Sequence, residues 1–527
     1  MKILISDPLS EEGVLIFKDE KSFQVDVKTD LKPDDLKKII GDYDCLIVRS
    51  ATKVTKDIID SAKNLKIIGR AGVGLDNVDL PAATARGIIV MNSPGGNTTS
   101  TAEHTFSMLL SLSRNIPQAN QSTKLGEWKR SKFMGVEVYG KTLGIIGLGR
   151  IGTEVAKRAL SFGMKIVAYD PFLSEEKLKS LDIVGGSLEK IFEVSDYITV
   201  HTPMTEETHH MISDKQFEKM KPGVRLINCA RGGIIDEAAL ARAIESGKVA
   251  GAAFDVFEKE PLDKDNQLLK SDKVVLTPHL GASTQEAQVN VSIEIAECVR
   301  DALLNKGIRN AANFPSLEQE RFKALLPWTN LCEKIGLLGG QLMESGIEEL
   351  TINFNGFFTA SDVAPLSMAL VRGVLTPILQ DTVNFINAIT LAKERGIKII
   401  EKRSTDEEEF VNLITLEIKT KIGVKVIAGT LFADKNPRIV KIDSAYVEAI
   451  PQGYMLVLNN QDKPGIIGAL GTLLGEHNIN IAGMTFGRES VGGKATSVLN
   501  IDSPVTPELL EKIKKLKNIL WVKSIKL

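Results

Sequence analysis

Three polar side chains that follow short apolar runs have the types needed for redox chemistry on an alcohol. Arg231 stands in Asn228-Cys229-Ala230-Arg231-Gly232-Gly233, after the run 224–227. Glu260 stands in Asp255-Val256-Phe257-Glu258-Lys259-Glu260-Pro261, after 250–253. His279 stands in Thr277-Pro278-His279-Leu280-Gly281-Ala282, after 274–276. In an open parallel sheet, ligands bind beyond the carboxyl ends of the strands, so the three are candidates to converge. Oxidising a secondary alcohol needs a base for the hydroxyl proton while hydride departs. Histidine titrates near neutral pH, and a carboxylate beside it fixes the tautomer and stabilises the imidazolium. An arginine binds a substrate carboxylate through paired, charge-assisted bonds. Taken singly, each has a plainer reading: a structural histidine, a Glu-Pro turn, an arginine in a loop approaching a helix. Spacing alone does not choose between these readings.

A hydride acceptor has its own signature upstream. Residues 143–152 read Leu-Gly-Ile-Ile-Gly-Leu-Gly-Arg-Ile-Gly, and a second apolar run, 165–169, ends at Asp170. Gly147, Gly149 and Gly152 have the G-x-G-x-x-G spacing of a dinucleotide-binding turn. The first glycine makes the tight turn, the second admits a pyrophosphate, and the third allows helix and sheet to pack closely. The pyrophosphate sits at the helix N-terminus, where free N–H groups and the dipole favour an anion. Asp170 suits a ribose 2′-hydroxyl and repels a 2′-phosphate, which favours NAD over NADP. Arg150, Ile151, Thr202, Pro203, Ala230, Asp255 and Gly281 are expected to border the same crevice. The other histidines are read as structural, with His201 beside Thr202 and Pro203 at the crevice.

The elements that must position these residues follow from apolar periodicity. Residues 1–95 alternate strands (2–6, 24–27, 45–48, 66–68, 88–90) with helices (33–40, 56–61), the pattern of a parallel α/β unit. A long helix, 98–114, leads into the second α/β unit, which carries the fingerprint and runs to 282. Ser283-Thr284-Gln285-Glu286 predicts a capping box and a helix to about 305. Past Pro315 the pattern changes: helices over 317–345 and 365–395, strands at 350–354, 398–401, 415–418, 424–430 and 437–442. A last compact unit follows from Gly453: strand 454–458, helix 465–476, strands 480–488 and 494–501, helix 506–516, and a closing segment 519–525.

Composition bounds the rest. The chain has 527 residues, 65 basic and 67 acidic, for a net charge of −2. That balance gives no electrostatic case for nucleic acid or an anionic membrane. No run is expected to be long and apolar enough to span a bilayer, and Met1–Asp7 reads as a strand, not a signal peptide. Cys45, Cys229, Cys298 and Cys332 have no metal or redox spacing. They suit buried positions in a reducing cytoplasm, and no metal is expected.

Taken together, the fingerprint with Asp170, the Asn228–Gly233 segment and the Thr277–Ala282 segment resemble the D-isomer-specific 2-hydroxyacid dehydrogenases. Val48-Arg49-Ser50-Ala51-Thr52-Lys53-Val54-Thr55 and Gly69-Arg70-Ala71-Gly72-Val73-Gly74-Leu75-Asp76-Asn77-Val78-Asp79 resemble the long branch of that family, which acts on a phosphorylated substrate. The resemblance covers the whole chain. It implies a Rossmann-type doubly wound NAD domain (96–282) inserted in a flavodoxin-like substrate domain (1–95 with 283–312). An α+β intervening domain (313–452) and a C-terminal ACT domain of βαββαβ type (453–527) follow. The implied reaction is NAD-dependent oxidation of 3-phosphoglycerate to 3-phosphohydroxypyruvate, which opens serine synthesis. His279 would be the acid/base, Glu260 would orient it, and Arg231 would bind substrate. Backbone N–H groups of Gly72, Val73 and Gly74 would hold the substrate carboxylate. Arg49, Ser50 and Arg70 would meet the phosphate. Trp128-Lys129-Arg130-Ser131-Lys132 resembles a segment that a neighbouring subunit adds to the active-site rim, with Arg130 as the contact, and a homotetramer is implied. In the ACT domain, Asn460, Asp462 and Asn480 would bind L-serine at a domain–domain interface. As residues alone, Asp462 and Asn480 also suit turns. Another 2-hydroxyacid dehydrogenase, or a nicotinamide-sensing binding protein with the same triad, would share most of these features.

Overall fold

The computed structural model describes residues 1–173, 175–315, 319–405, 410–488 and 490–527. The start of the helix expected over 317–345 therefore lies outside the described residues.

The N-terminal unit is built on five parallel strands. Their order is Gln24–Val27, Lys2–Ile5, Cys45–Val48, Ile67–Arg70, Ile89–Asn92. One face packs Leu4, Leu46, Ile68 and Val90 against helices from the same segment. The other face packs Ile3, Ile5, Ile47 and Ile67 against Val291, Ile295 and Val299 of the helix Gln285–Leu303. That helix returns from beyond the second unit, and the chain after it closes the sheet. The Asn92 N–H donates to Asn310 O at 3.0 Å, and the Ala312 N–H donates to Val90 O at 2.8 Å. Sequence periodicity missed two short helices here, Glu11–Lys18 and Leu80–Ala85. The capping box expected at Ser283 does not form. Thr284 is the N-cap, and its Oγ1 accepts from Ala287 N at 3.1 Å, one residue later than read.

The second sheet has seven parallel strands in the order Val274–Leu276, Val249–Phe254, Val224–Asn228, Tyr197–Val200, Thr142–Ile146, Lys165–Tyr169, Val184–Gly185. Strand order reverses between Thr142–Ile146 and Tyr197–Val200, which opens a crevice at their carboxyl ends. Apolar layers cover both faces, as a parallel sheet requires.

The third unit has a six-stranded mixed sheet in the order Lys398–Ser404, Ile347–Asn355, Leu413–Thr420, Gly423–Phe432, Asn436–Ile442, Ala445–Ala449. Only its first pair is parallel. Helices Gln319–Leu342 and Ala360–Leu379 share one core with this sheet. Ala360–Leu379 corrects the expectation of no membrane-length run, since an 18-residue window of this 20-residue helix reaches a mean hydropathy of 1.4. It is a core helix: 67% of its apolar window is buried. It approaches its neighbour so closely that a Cβ at Gly336 would collide with Leu370 O. Its buried Asp362 pairs with Arg321.

The C-terminal unit is a four-stranded antiparallel sheet in the order Ile481–Arg488, Lys494–Ile501, Tyr454–Gln461, Ile519–Lys526. Helices Ile466–Glu476 and Pro507–Lys514 complete a βαββαβ unit. It is anchored to the third unit by Lys523, whose Nζ donates to Leu342 O and Met343 O at 3.0 Å each.

Candidate active site

The parallel strands of the first two units end around one cleft of about 420 Å³. Val73 and Gly74 line it from the first unit. Ile151, Thr202, Pro203, Ala230, Arg231, Asp255, His279 and Gly281 line it from the second. Sequence reasoning missed Asp76, Asn97, Thr101 and Met204, which share the same wall.

The glycine turn has the expected geometry. Gly147 has φ +91°, a left-handed conformation that favours glycine. Gly149 is the N-cap of Arg150–Ser161, and no side chain caps that helix. A Cβ on Gly152 would collide with Gly147 O. Asp170 closes the turn: its Oδ2 accepts from Leu148 N and its Oδ1 from Phe172 N, both at 2.9 Å.

The cleft is chemically suited to a dinucleotide. Asn97 Oδ1, His201 Nδ1 and Thr202 Oγ1 are buried there without partners. Each such atom costs roughly 1–3 kcal/mol when left unpaired, and a polar ligand in the cleft offsets that cost. Burial pushes His201 down to about 4, so its ring is neutral.

His279 and Glu260 meet at the mouth of the cleft. His279 Nδ1 is 2.8 Å from Glu260 Oε2, and Glu260 Oε1 accepts from Phe257 N at 3.1 Å. With Glu260 at Nδ1, Nε2 is left for a ligand. The hydrogen bond to Glu260 raises His279 above the ordinary histidine range, against the effect of burial. Burial works against the Glu260 carboxylate, but the bond and charge of His279 outweigh it and hold it below the usual range.

Asp255 builds the loop that carries His279. It is fully buried. Its Oδ1 accepts from Thr277 Oγ1 at 2.6 Å and Leu280 N at 2.7 Å, and its Oδ2 from Gly281 N at 2.8 Å. His104 Nε2 lies 3.1 Å from the same carboxylate. Burial opposes the charge on Asp255, yet the bonds from His104 and Thr277 keep its pKa low. His279 itself has φ 55°, a left-handed conformation that these contacts enforce.

Three guanidinium groups gather opposite this pair. Burial first, and then the charge of Arg231, lower Arg70 to about 10; Arg49 adds to that repulsion. Arg70 Nε is buried without a partner. Arg231 Nε lies 3.4 Å from Asp76 Oδ2, and its Nη1 donates to Ala230 O at 2.7 Å. Gly72 has φ +144°, and a Cβ there would collide with the Arg70 guanidinium. The Arg49–Thr52 loop is pinned from two sides. Asp7 Oδ2 accepts from Arg49 N at 2.6 Å, and Asn77 Nδ2 donates to Arg49 O at 2.7 Å. Ser50 is exposed beside it. A partly buried cluster with more cations than anions is a site for a multiply charged anion.

Other predicted residues fall elsewhere. Arg130 is exposed in the turn Arg130–Phe133 and does not line the cleft. Asn460 is fully buried, with its Oδ1 accepting from Ser497 Oγ at 3.2 Å and its Nδ2 donating to Gln461 O at 3.1 Å. Asp462 and Asn480 are not brought together within one chain. Strand register aligns Tyr454 with Ile501 and Ile501 with Ile481, while Gln461 faces Lys494 at the opposite edge. Asp462 follows Gln461 and Asn480 precedes Ile481, so about eight residues of strand, roughly 25 Å, separate them. Asp462 contacts Gly492 N at 3.2 Å, and Asn480 Nδ2 donates to Asp502 at 2.8 Å.

Residues 106–281 match the family described as D-isomer specific 2-hydroxyacid dehydrogenase, NAD binding domain. Residues 324–443 match the D-3-phosphoglycerate dehydrogenase intervening domain, and 454–518 match the ACT domain. The chain is 45% identical to D-3-phosphoglycerate dehydrogenase of Archaeoglobus fulgidus, over 99% of each protein. It is 44% identical to the Synechocystis enzyme of that name, over 100% of this chain and 95% of the relative. Among solved structures it resembles D-lactate dehydrogenase from Aquifex aeolicus complexed with NAD and lactic acid. That match has a TM-score of 0.52 and 32% identity, over 58% of this chain and 96% of that one.

Proposed function

The chain belongs to the D-3-phosphoglycerate dehydrogenases, and from that membership we propose how its residues divide the reaction. The reaction is NAD-dependent oxidation of 3-phosphoglycerate to 3-phosphohydroxypyruvate, the opening step of serine synthesis. Gly147, Gly149, Gly152 and Asp170 hold NAD, with Asn97, His201 and Thr202 as partners deeper in the cleft. NAD held there would supply the acceptor for the hydride from C2 of the substrate. His279 Nε2 takes the C2 hydroxyl proton, and Glu260 at Nδ1 stabilises the imidazolium that results. Arg231 and the backbone of Gly72–Gly74 hold the carboxylate. Arg49, Ser50 and Arg70 hold the phosphate, whose charge answers the cluster of guanidinium groups. The observation that carries this assignment is the 2.8 Å His279–Glu260 contact, with His279 and Arg231 lining one cleft. Closure of the two flanking units then excludes water.

Regulation and assembly extend the proposal. L-serine binds the ACT domain through Asp462 and Asn480. Their separation requires that they come from two copies of the domain. A homotetramer accommodates this, and the exposed Trp128, Met134 and Tyr139 beside Arg130 support a contact between copies there. Four free, buried cysteines suit a reducing cytoplasm. The test is NADH oxidation with 3-phosphohydroxypyruvate, with and without L-serine. Turnover suppressed by serine supports both readings. Turnover without a serine response removes the effector reading alone, and NADH binding without turnover overturns the catalytic one.

A further inference from the structure

The loop 201–212 does more than wall the cofactor crevice. We propose that His210 is a positioning residue that rivets three loops together: its own, the Arg231 loop and the Glu260 loop. Through Glu258 it holds Glu260 in register with His279. The His210 N–H donates to Gly233 O at 2.7 Å, two residues past Arg231. Its Nε2 lies 3.0 Å from Glu258 Oε1, two residues before Glu260. Its Nδ1 is 3.9 Å from Asp236 Oδ2, and the His209 ring stacks on it with centroids 4.0 Å apart.

The loops it joins have little slack. Glu258 N donates to Glu237 Oε1 at 2.7 Å. A Cβ on Gly232 would collide with Phe257 O, so the Arg231 and Glu260 loops touch backbone to backbone. Glu260 bonds back to Phe257 N, so a shift at 257–258 moves the carboxylate that faces His279. His210 has φ 49°, a conformation that persists in a bulky residue only where its surroundings over-determine it. His210 does not line the cleft, so it acts through Glu258 and not on substrate.

The inference rests on the proposed pairing of Glu260 with His279. The groups that set the charge on His279 are Glu260, Asp255 and Arg231. Reduction of 3-phosphohydroxypyruvate needs His279 protonated, so the rate falls as pH rises through its pKa. His210→Ala, which frees Glu260, is expected to lower kcat about ten-fold, well short of the roughly 10²–10⁴-fold worth of the whole acid–base contribution. It should also move that alkaline limb to lower pH, with NADH affinity retained. Glu258→Ala should do the same. Glu258→Gln keeps an acceptor for Nε2 and should restore most of the loss. The double variant His210→Ala/Glu258→Ala should be no worse than either single one. A folded His210→Ala with unchanged kcat and limb overturns the rivet. So does a loss that is equal at every pH and tracks a lower melting temperature. An active His279→Asn would instead overturn the acid–base reading beneath it.

Discussion

The catalytic cleft and the ACT domain handle the same task, gathering distant residues, in opposite ways. In the first two units every strand of the sheet runs parallel, so each carboxyl end delivers its loop to the same edge. Arg231, Asp255 and His279 meet there although nearly fifty residues separate the first from the last. In the ACT domain, Tyr454–Gln461 and Ile481–Arg488 also run in the same direction, each antiparallel to Lys494–Ile501 between them. One candidate residue follows its strand and the other precedes its strand. They therefore lie at opposite edges. Arg231, Asp255 and His279 are thus gathered within one chain, whereas the proposed effector site would need two.

Four perturbations break or sharpen that contrast. The largest effect is expected from His279→Asn, which should cost about 10²–10⁴-fold in kcat in either direction while NADH still binds. Steady-state rates and NADH fluorescence measure the two parts. Next, Arg49→Ala should lower kcat/KM for 3-phosphohydroxypyruvate about 10–100-fold, the worth of a charged hydrogen bond. Unphosphorylated hydroxypyruvate should lose far less; equal losses would remove Arg49 from the phosphate site. A smaller effect concerns pH. His279 is raised by Glu260, so oxidation should fall on the acid side of a pKa above the ordinary histidine value, and reduction on its alkaline side. Glu260→Gln should move both limbs to lower pH. The smallest effect tests the two-chain site. Asp462→Ala and Asn480→Ala should each raise the serine midpoint about ten-fold, within the range for a lost hydrogen bond to a charged group. Oligomers mixed from the two variants should recover part of the response, because some interfaces then pair an intact Asp462 with an intact Asn480. Mixed oligomers no better than either parent would place the effector within single chains.

Much of the cleft was legible because its signals are local. Gly147–Gly152 with Asp170 sits in a strand–turn–helix–strand frame, and the three catalytic candidates each follow an apolar run. Asp7 and Asn77 were not found because they act on the Arg49 loop across the fold. Asp7 follows the first strand, so the strand-end rule would have flagged it. The helix Glu11–Lys18 is short, and its stability comes from packing: Gly13 lies against Ser292 of the returning helix. Ser283 and Thr284 are both good caps, and only the bond to Ala287 N chooses between them. Hydropathy understated Ala360–Leu379, whose Asp362 is neutralised by Arg321, a residue brought near only by tertiary packing. The separation of Asp462 and Asn480 was available in principle. A βαβ unit with parallel strands puts the exit of one strand and the start of the next at opposite edges.

The chain that closes the first sheet has a further consequence, for synthesis. The N-terminal strands emerge from the ribosome long before Val291, Ile295 and Asn310, which cover and edge them. Roughly two hundred residues intervene, or about 10–40 s of translation at typical rates. For that interval Ile3, Ile5 and Ile47 lack the burial partners that the returning helix supplies. The second sheet is built from one continuous stretch of chain, whereas the first waits for its returning helix. Nascent-chain binding by chaperones should therefore peak after the first sheet is made and fall sharply once the returning helix clears the exit tunnel.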